Sequence, residues 1–268
     1  MLEQLRAIWE YREAVAGLVL ADLRARYKYS FLGFFWSLLN PLLEVGILVV
    51  TFGRLLKVFP DPTYPLMVLC SVVPWTAFSS TLADCADSLP ANPSIVKRLP
   101  TPRLVLPLSK VVSNMVHLGM ALVVVLVFDA VLMVAVLGKG FGATVLLLPA
   151  VVVIQEALAY GLGLFMATVG AFYRDARFIV QAVVRLWYFL CPIIYPYLEV
   201  IKRLGRLSET YFLLNPVAGL IASYQRVIVE GALPDPLWIA SALGWAVILT
   251  LLGMAVFRRY EWLFPEVL

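Results

Sequence analysis

His117 is the only histidine in the chain, and it follows Ser113 by one helical turn and Ser109 by two. An imidazole stacked on hydroxyls is what a hydrolase buried in a membrane would use, a base beside a nucleophile. No Gly-x-Ser-x-Gly elbow and no His-Glu-x-x-His pair accompanies them, and a lone histidine among apolar residues reads more simply as a hydrogen-bonded packing residue. Cys70, Cys85 and Cys191 lack metal-type spacing, which argues against a zinc site or a disulfide framework. The sequence contains no Gly-x-x-x-x-Gly-Lys-[Ser/Thr], so ATP is not held here by a P-loop. Glu44, Asp84, Asp87, Asp129 and Glu156 stand inside apolar blocks, where ionisable groups commonly mark ion pathways. They are scattered over four blocks, and no broken helices recur as inverted repeats, so structural pairing is the simpler reading. One constellation remains: Arg24, Arg26 and Lys28 run through aromatic residues into an apolar stretch that contains Pro41, an order suited to meeting anionic groups at a lipid surface.

The elements that position these groups follow from composition. Of 268 residues, 62% are hydrophobic and 14% charged, with a mean hydropathy of +0.92, against roughly 45–50% apolar and about 25% charged for a globular domain. The apolar residues come in blocks of the roughly 20 residues that cross a bilayer as a helix. Blocks without strict alternation exclude a closed barrel, so the fold class is an all-α integral membrane protein. Six spans are expected, at about 32–56, 66–89, 106–137, 144–171, 179–198 and 237–257. They form one transmembrane domain over 32–257, preceded by a cytoplasmic amphipathic segment, 1–31, and followed by a cytoplasmic tail, 258–268. The fifth block is cut short by Cys191-Pro192, since each proline removes a donor and disfavours helix in the residue before it. The apolar pieces of 199–236, such as YFLLNPVAGLIASY, read as short re-entrant or interfacial helices in the outer leaflet.

Cations set the orientation. Arg6, Arg12, Arg24, Arg26 and Lys28 precede the first block, Lys97, Arg98 and Arg103 follow the second, Arg174 and Arg177 follow the fourth, and Arg258 and Arg259 follow the last. Both termini are therefore expected in the cytoplasm. Residues 1–19 carry Glu3, Glu10 and Glu13 and lack a cleavable signal-peptide pattern; they read as an amphipathic helix, lying in the membrane surface or packed on the protein. Much of the formal charge of +4 is accounted for by this topology, so it selects no cargo; membrane lipids, and no nucleic acid, are the expected partners.

RYKYSFLGFFWSLLNPLL resembles the first-span signature of the ABC-2 type polysaccharide-export permeases, with Leu32, Gly33, Trp36 and Pro41 at the matching places. ANPSIVKRLPTPRLVLPLSK is similar to that family's loop after span two, through Asn92, Lys97, Arg98, Pro102, Arg103, Pro107, Leu108 and Ser109. One position departs, Thr101, where an aromatic is common. AFYRDAR resembles the Tyr/Phe-Arg-Asp turn, through Tyr173, Arg174 and Asp175, and the outer and C-terminal segments follow in order.

The resemblance implies a homodimer of six-span subunits in a bacterial cytoplasmic (inner) membrane, joined to two copies of a separate ATP-binding subunit. ATP and magnesium would be bound there, with no cofactor or metal in this chain and no enzymatic activity of its own. The cargo implied is a lipid-linked glycan, O-antigen, capsular polysaccharide or teichoic acid, moved outward. Lys97, Arg98, Pro102, Arg103, Tyr173, Arg174 and Asp175 are then expected to couple to the ATPase. Arg24, Arg26, Lys28 and Gly33 would form a gate for the lipid pyrophosphate, and Phe31, Phe35, Trp36, Trp187, Tyr188 and Tyr195 are the candidate channel aromatics. An ABC-2 exporter of a lipid or drug is the nearest alternative, and an intramembrane enzyme built on His117 a more distant one.

Overall fold

The computed structural model describes residues 10–27, 35–98, 101–137 and 142–268, with the side chains of 27, 35–38, 98, 133 and 135–137 outside the description. Lys28, Phe31 and Gly33 of the expected gate and channel therefore lie outside the described residues, as do residues 1–9 of the expected amphipathic helix. All regular structure among the described residues is helical. We label α1 (Arg12–Tyr27), α2 (Phe35–Leu48), α3 (Tyr64–Asp87), α4 (Pro93–Arg98), α5 (Val105–Leu137), α6 (Leu148–Phe172), α7 (Ala176–Phe189), α8 (Tyr197–Leu204), α9 (Leu207–Leu214), α10 (Pro216–Gln225), α11 (Pro236–Tyr260) and α12 (Phe264–Val267).

Prolines start several of these helices. Pro65, Pro149, Pro216 and Pro236 each occupy the first turn, where the missing N–H has no helical partner anyway and φ is already set. Asp235 caps α11 by accepting from Leu237 N at 2.9 Å, and Asn215 caps α10 by accepting from Ala218 N at 3.3 Å.

Four segments are long and apolar enough to cross a membrane, Tyr64–Asp87, Val105–Leu132, Ala143–Phe172 and Pro236–Val267, and they coincide with the second, third, fourth and sixth expected blocks. The other two differ from expectation. The first block is the 14-residue α2, continued by a π-helical stretch, Val49–Leu55. The fifth ends early as the 14-residue α7. Bonds from Leu190 N to Trp187 O and from Cys191 N to Tyr188 O tighten its last turn, and Pro192 and Pro196 bar any continuation. Beyond it, Leu207–Leu214 and Pro216–Glu230 form one broken apolar pair, bent by 105°.

The central helix is α3, buried along 83% of its most apolar window, whereas the corresponding figure for α11 is 17%. α3 packs on α2, α5, α6, α7 and α10, while α6 and α11 form the closest pair. Glycine makes that closeness possible. A Cβ on Gly161 would lie 2.7 Å from Thr250 N, and one on Gly253 2.6 Å from Gly161 O. Lipid tails supply no hydrophobic drive between helices, so small residues that let backbones approach are what hold a membrane bundle together.

Gln155 Nε2 donates to Pro74 O at 3.2 Å and so ties α6 to α3 at the proline. Gln225, 1% exposed, ties α10 to α3 and to the 190s turn by donating to Ser71 Oγ at 2.9 Å and to Pro192 O at 2.7 Å. Helix ends also sort together. Leu18, Leu89, Val96, Leu104, Ala171, Phe257 and Phe264 share one cluster, which brings α1, the 89–104 loop, the end of α6 and the C-terminal segment to one end of the bundle, the basic end.

Candidate functional site

At the basic end α1 is held to the bundle by charge. Arg26 Nη2 donates to Asp84 Oδ2 at 2.5 Å, and its Nε lies 3.5 Å from Asp22 one turn earlier. Asn114 Nδ2 reaches the same Asp84 oxygen at 3.0 Å. Asp22 in turn accepts from Lys110 and, at 2.7 Å, from Ser113. Three helices, α1, α3 and α5, thus meet through six side chains. Arg177 at the start of α7 pairs with Asp87 at the end of α3. Asp84 and Asp87 are therefore structural partners of cations, as the simpler reading of the sequence expects.

Asp22 is the most informative titrating group outside the spans. Burial alone would push its carboxyl up, but hydrogen bonds from Lys110 and Ser113, with the charges of Lys110 and Arg26, outweigh burial and hold it below the usual aspartate value. A carboxyl held below its unfolded value adds stability that is present above about 3.8, the ordinary aspartate value, and is lost as pH falls through the folded value. Thermal unfolding of the solubilised protein between pH 3 and pH 7 is therefore expected to show a steeper acid loss for the wild type than for Asp22→Asn. Parallel acid limbs would show that this contact contributes nothing.

From this network a polar groove runs along the seam of α3 and α7. Its first part, about 260 Å³, is lined by Asp22, Arg26, Ser79, Ser80, Asp84, Arg177 and Gln181. Its second part, about 500 Å³, shares Ser79, Ser80 and Gln181 and continues to Glu44, Trp75, Thr76, Arg185 and Tyr188. The tiling is helical: Thr76, Ser80 and Asp84 stand at four-residue steps on α3, and Arg177, Gln181 and Arg185 do so on α7. Tyr188 closes the far part by donating to Glu44 Oε1 at 2.7 Å.

The expected site residues scatter. Trp187 donates to Asn215 Oδ1 at 3.1 Å and packs edge-on against Trp75 and Phe78, Tyr188 enters the groove, and Tyr195 lines a separate outer cleft of about 380 Å³ with Phe59 and Tyr211. Phe35 and Trp36 lie on α2 with side chains outside the description, as does the side chain of Arg98. Arg24 is exposed on α1, and Lys97, Tyr173, Arg174 and Asp175 are exposed at the basic end. Arg103 faces inward from Pro102. It donates to Val96 O and Glu261 O, each at 3.3 Å, and ties the loop to the C-terminal segment.

Sequence reasoning missed Asp22, Glu44, Gln181 and Arg185 as groove residues; the four-residue polar step on α7 was the available signal. The hydrolase constellation does not assemble, since Ser113 Oγ donates to Asp22 and Ser109 Oγ to Leu106 O at 2.7 Å. Neither hydroxyl proton is directed at His117.

Comparison with known proteins identifies the family. The profile of the ABC-2 type transporter membrane family matches residues 13–227. The chain belongs to that family. An O-antigen export system permease protein, RfbA, of Myxococcus xanthus is 31% identical over 269 residues, covering 97% of this chain and 98% of the relative. The protein of that name from Klebsiella pneumoniae is 30% identical over 248 residues, covering 92% of each. The polysialic acid transport protein KpsM of Escherichia coli is 23% identical over 254 residues, covering 92% and 93%.

Proposed function

We propose that this chain is the permease subunit of an ATP-driven exporter that carries a lipid-linked polysaccharide from the cytoplasmic to the outer leaflet of a bacterial inner membrane. The observation that carries the reading is the end-to-end match to two O-antigen export permeases. In this reading α2 with its π-helical continuation, and α7 with the turn after it, are the first and fifth of six crossings, and the bent α9–α10 pair dips into the outer leaflet. Two copies assemble with two ATP-binding subunits, which hold ATP and magnesium. The groove of each copy forms part of the conduit, and Arg24 and Arg26, with Lys28 next to them in the sequence, are the residues that would meet the lipid diphosphate as it enters.

The exposed Lys97, Tyr173, Arg174 and Asp175 face the ATPase from one end of the bundle, where Arg177–Asp87 holds the turn after α6 to the end of α3. Hydrolysis moves the permease only by as much as the ATPase binds its two arrangements differently.

Pull-down of the tagged protein from its native host in mild detergent, with mass spectrometry and an ATPase assay of the eluate, tests the reading. A P-loop ATPase is expected in stoichiometric amount, and its recovery is expected to fall on combining Lys97→Glu with Arg174→Glu. Recovery of the permease alone in several detergents would overturn the assignment.

A further inference from the structure

We propose that the cleft around Glu44 and Arg185 is a binding station for an uncharged, hydroxyl-rich sugar ring, and that its two opposite charges select such a ring over a phosphate-bearing unit. The proposal rests on the export reading and names which class of glycan the groove accepts.

The cleft, about 500 Å³, falls within the range of small-molecule sites. It lies between α2, α3 and α7, beside Trp75 and Thr76 in the middle of the apolar segment Tyr64–Asp87, and in the export reading ionisable side chains at such a level mark function by default. Glu44 and Arg185 line one cavity, yet neither forms an ion pair with any described residue. Among the described residues Glu44 receives the Tyr188 hydroxyl alone, at 2.7 Å on Oε1, and none of them donates to Oε2. Arg185 is a donor only.

A sugar hydroxyl both donates and accepts, so adjacent hydroxyls of one ring satisfy Glu44 and Arg185 together, and Trp75 and Tyr188, edge-to-face at 5.8 Å, offer apolar walls for its C–H face. A phosphate accepts only. It satisfies Arg185 but places like charge against Glu44, a repulsion that works as discrimination. The rest of the groove agrees: Arg26 is held by Asp84 and Arg177 by Asp87. Among the described residues no run of uncompensated cations tracks the groove, as a polyanion would require.

The test is a tryptophan-fluorescence titration of the purified full chain in a detergent without a sugar headgroup, using maltotriose as the neutral probe and a glycerol-phosphate trimer as the anionic one. Saturable binding of maltotriose is expected in the wild type, with the trimer about tenfold weaker or more, since like-charge contacts are worth at least one tenfold step. Arg185→Gln is expected to weaken maltotriose binding about tenfold, the loss of a charge-assisted hydrogen bond. Glu44→Gln removes the repulsion and is expected to abolish or reverse the preference between the probes.

Tighter binding of the trimer by the wild type, no saturable response to either probe, or an unchanged preference in Glu44→Gln would overturn the proposal. The wild-type comparison needs no variant to fold. Failure of the export reading would show separately, as a missing ATP-binding partner, and leaves the binding measurement untouched.

Discussion

Gly170→Ala is expected to abolish accumulation of folded protein. A Cβ at this position would sit 1.8 Å from Ala86 O and 2.8 Å from Ala86 C, so the obstacle is the backbone of α3, which has no rotamer to change. The helices would have to separate along the seam on which the bundle depends, because a few residues earlier a Cβ on Gly163 would lie 2.7 Å from Cys85 Sγ. Overpacking costs typically 1–3 kcal/mol where side chains can yield; against backbone we expect about 3 kcal/mol or more, a large share of the total stability of any domain. Fluorescence-detected size exclusion after a heating series reads this directly. Gly244→Ala is the matched control, since nothing lies within 4 Å of its Cβ and helical alanine is favoured over glycine. A Gly170→Ala protein as heat-stable as this control would show that α3 and α6 can part without loss.

The second large effect concerns Arg26. One guanidinium serves Asp84 at 2.5 Å and Asp22 at 3.5 Å, with the arginine side chain 28% and Asp84 22% exposed. Hydrogen bonds to charged groups contribute about 1.5–3 kcal/mol each when partly shielded, so Arg26→Ala is expected to loosen α1 and stop export. Asp84→Ala leaves the cation with one weaker partner, and a double-mutant cycle is expected to return a coupling of about 1–2 kcal/mol.

The exchanged pair, Arg26→Asp with Asp84→Arg, separates two roles. In the proposed gate Arg26 also meets the lipid diphosphate, so the exchange is expected to recover part of the melting temperature lost by either single variant, less the repulsion of the new carboxylate and Asp22, but not glycan on the cell surface. Recovery of export would show that Arg26 is only a clamp.

Both predictions depend on contacts absent from a linear reading of the chain. The membrane class, four of the expected spans, the gathering of the basic loops and both terminal segments at one end, and the family were legible in the sequence. Each is a local property: apolar length measures against bilayer thickness, cations sort by side of the membrane, and a motif is read where it stands. Even the early stop of α7 is written in Cys191-Pro192 and Pro196.

The groove is not written in that way. Arg26 and Asp84 are 58 residues apart and Glu44 and Tyr188 are 144 apart, and which of several polar residues face one another depends on the rotation of each helix about its axis. That rotation is decided by packing: Gly161, Gly163, Gly170 and Gly253 fix how closely α3, α6 and α11 approach. The aromatics of 187–195 show the consequence. Similar in the sequence, they fall into a packed core, a polar groove and an outer cleft, because successive positions on a helix point in different directions and the turn after α7 redirects the last of them. Sequence by itself determined that this is a membrane permease of the ABC-2 kind. Tertiary structure decided that Arg26 is shared with two carboxylates, that Arg103 belongs to the C-terminal segment, and that Glu44 and Arg185 face one cleft, because neighbours in space are chosen by the geometry of packed helices and not by the order of residues.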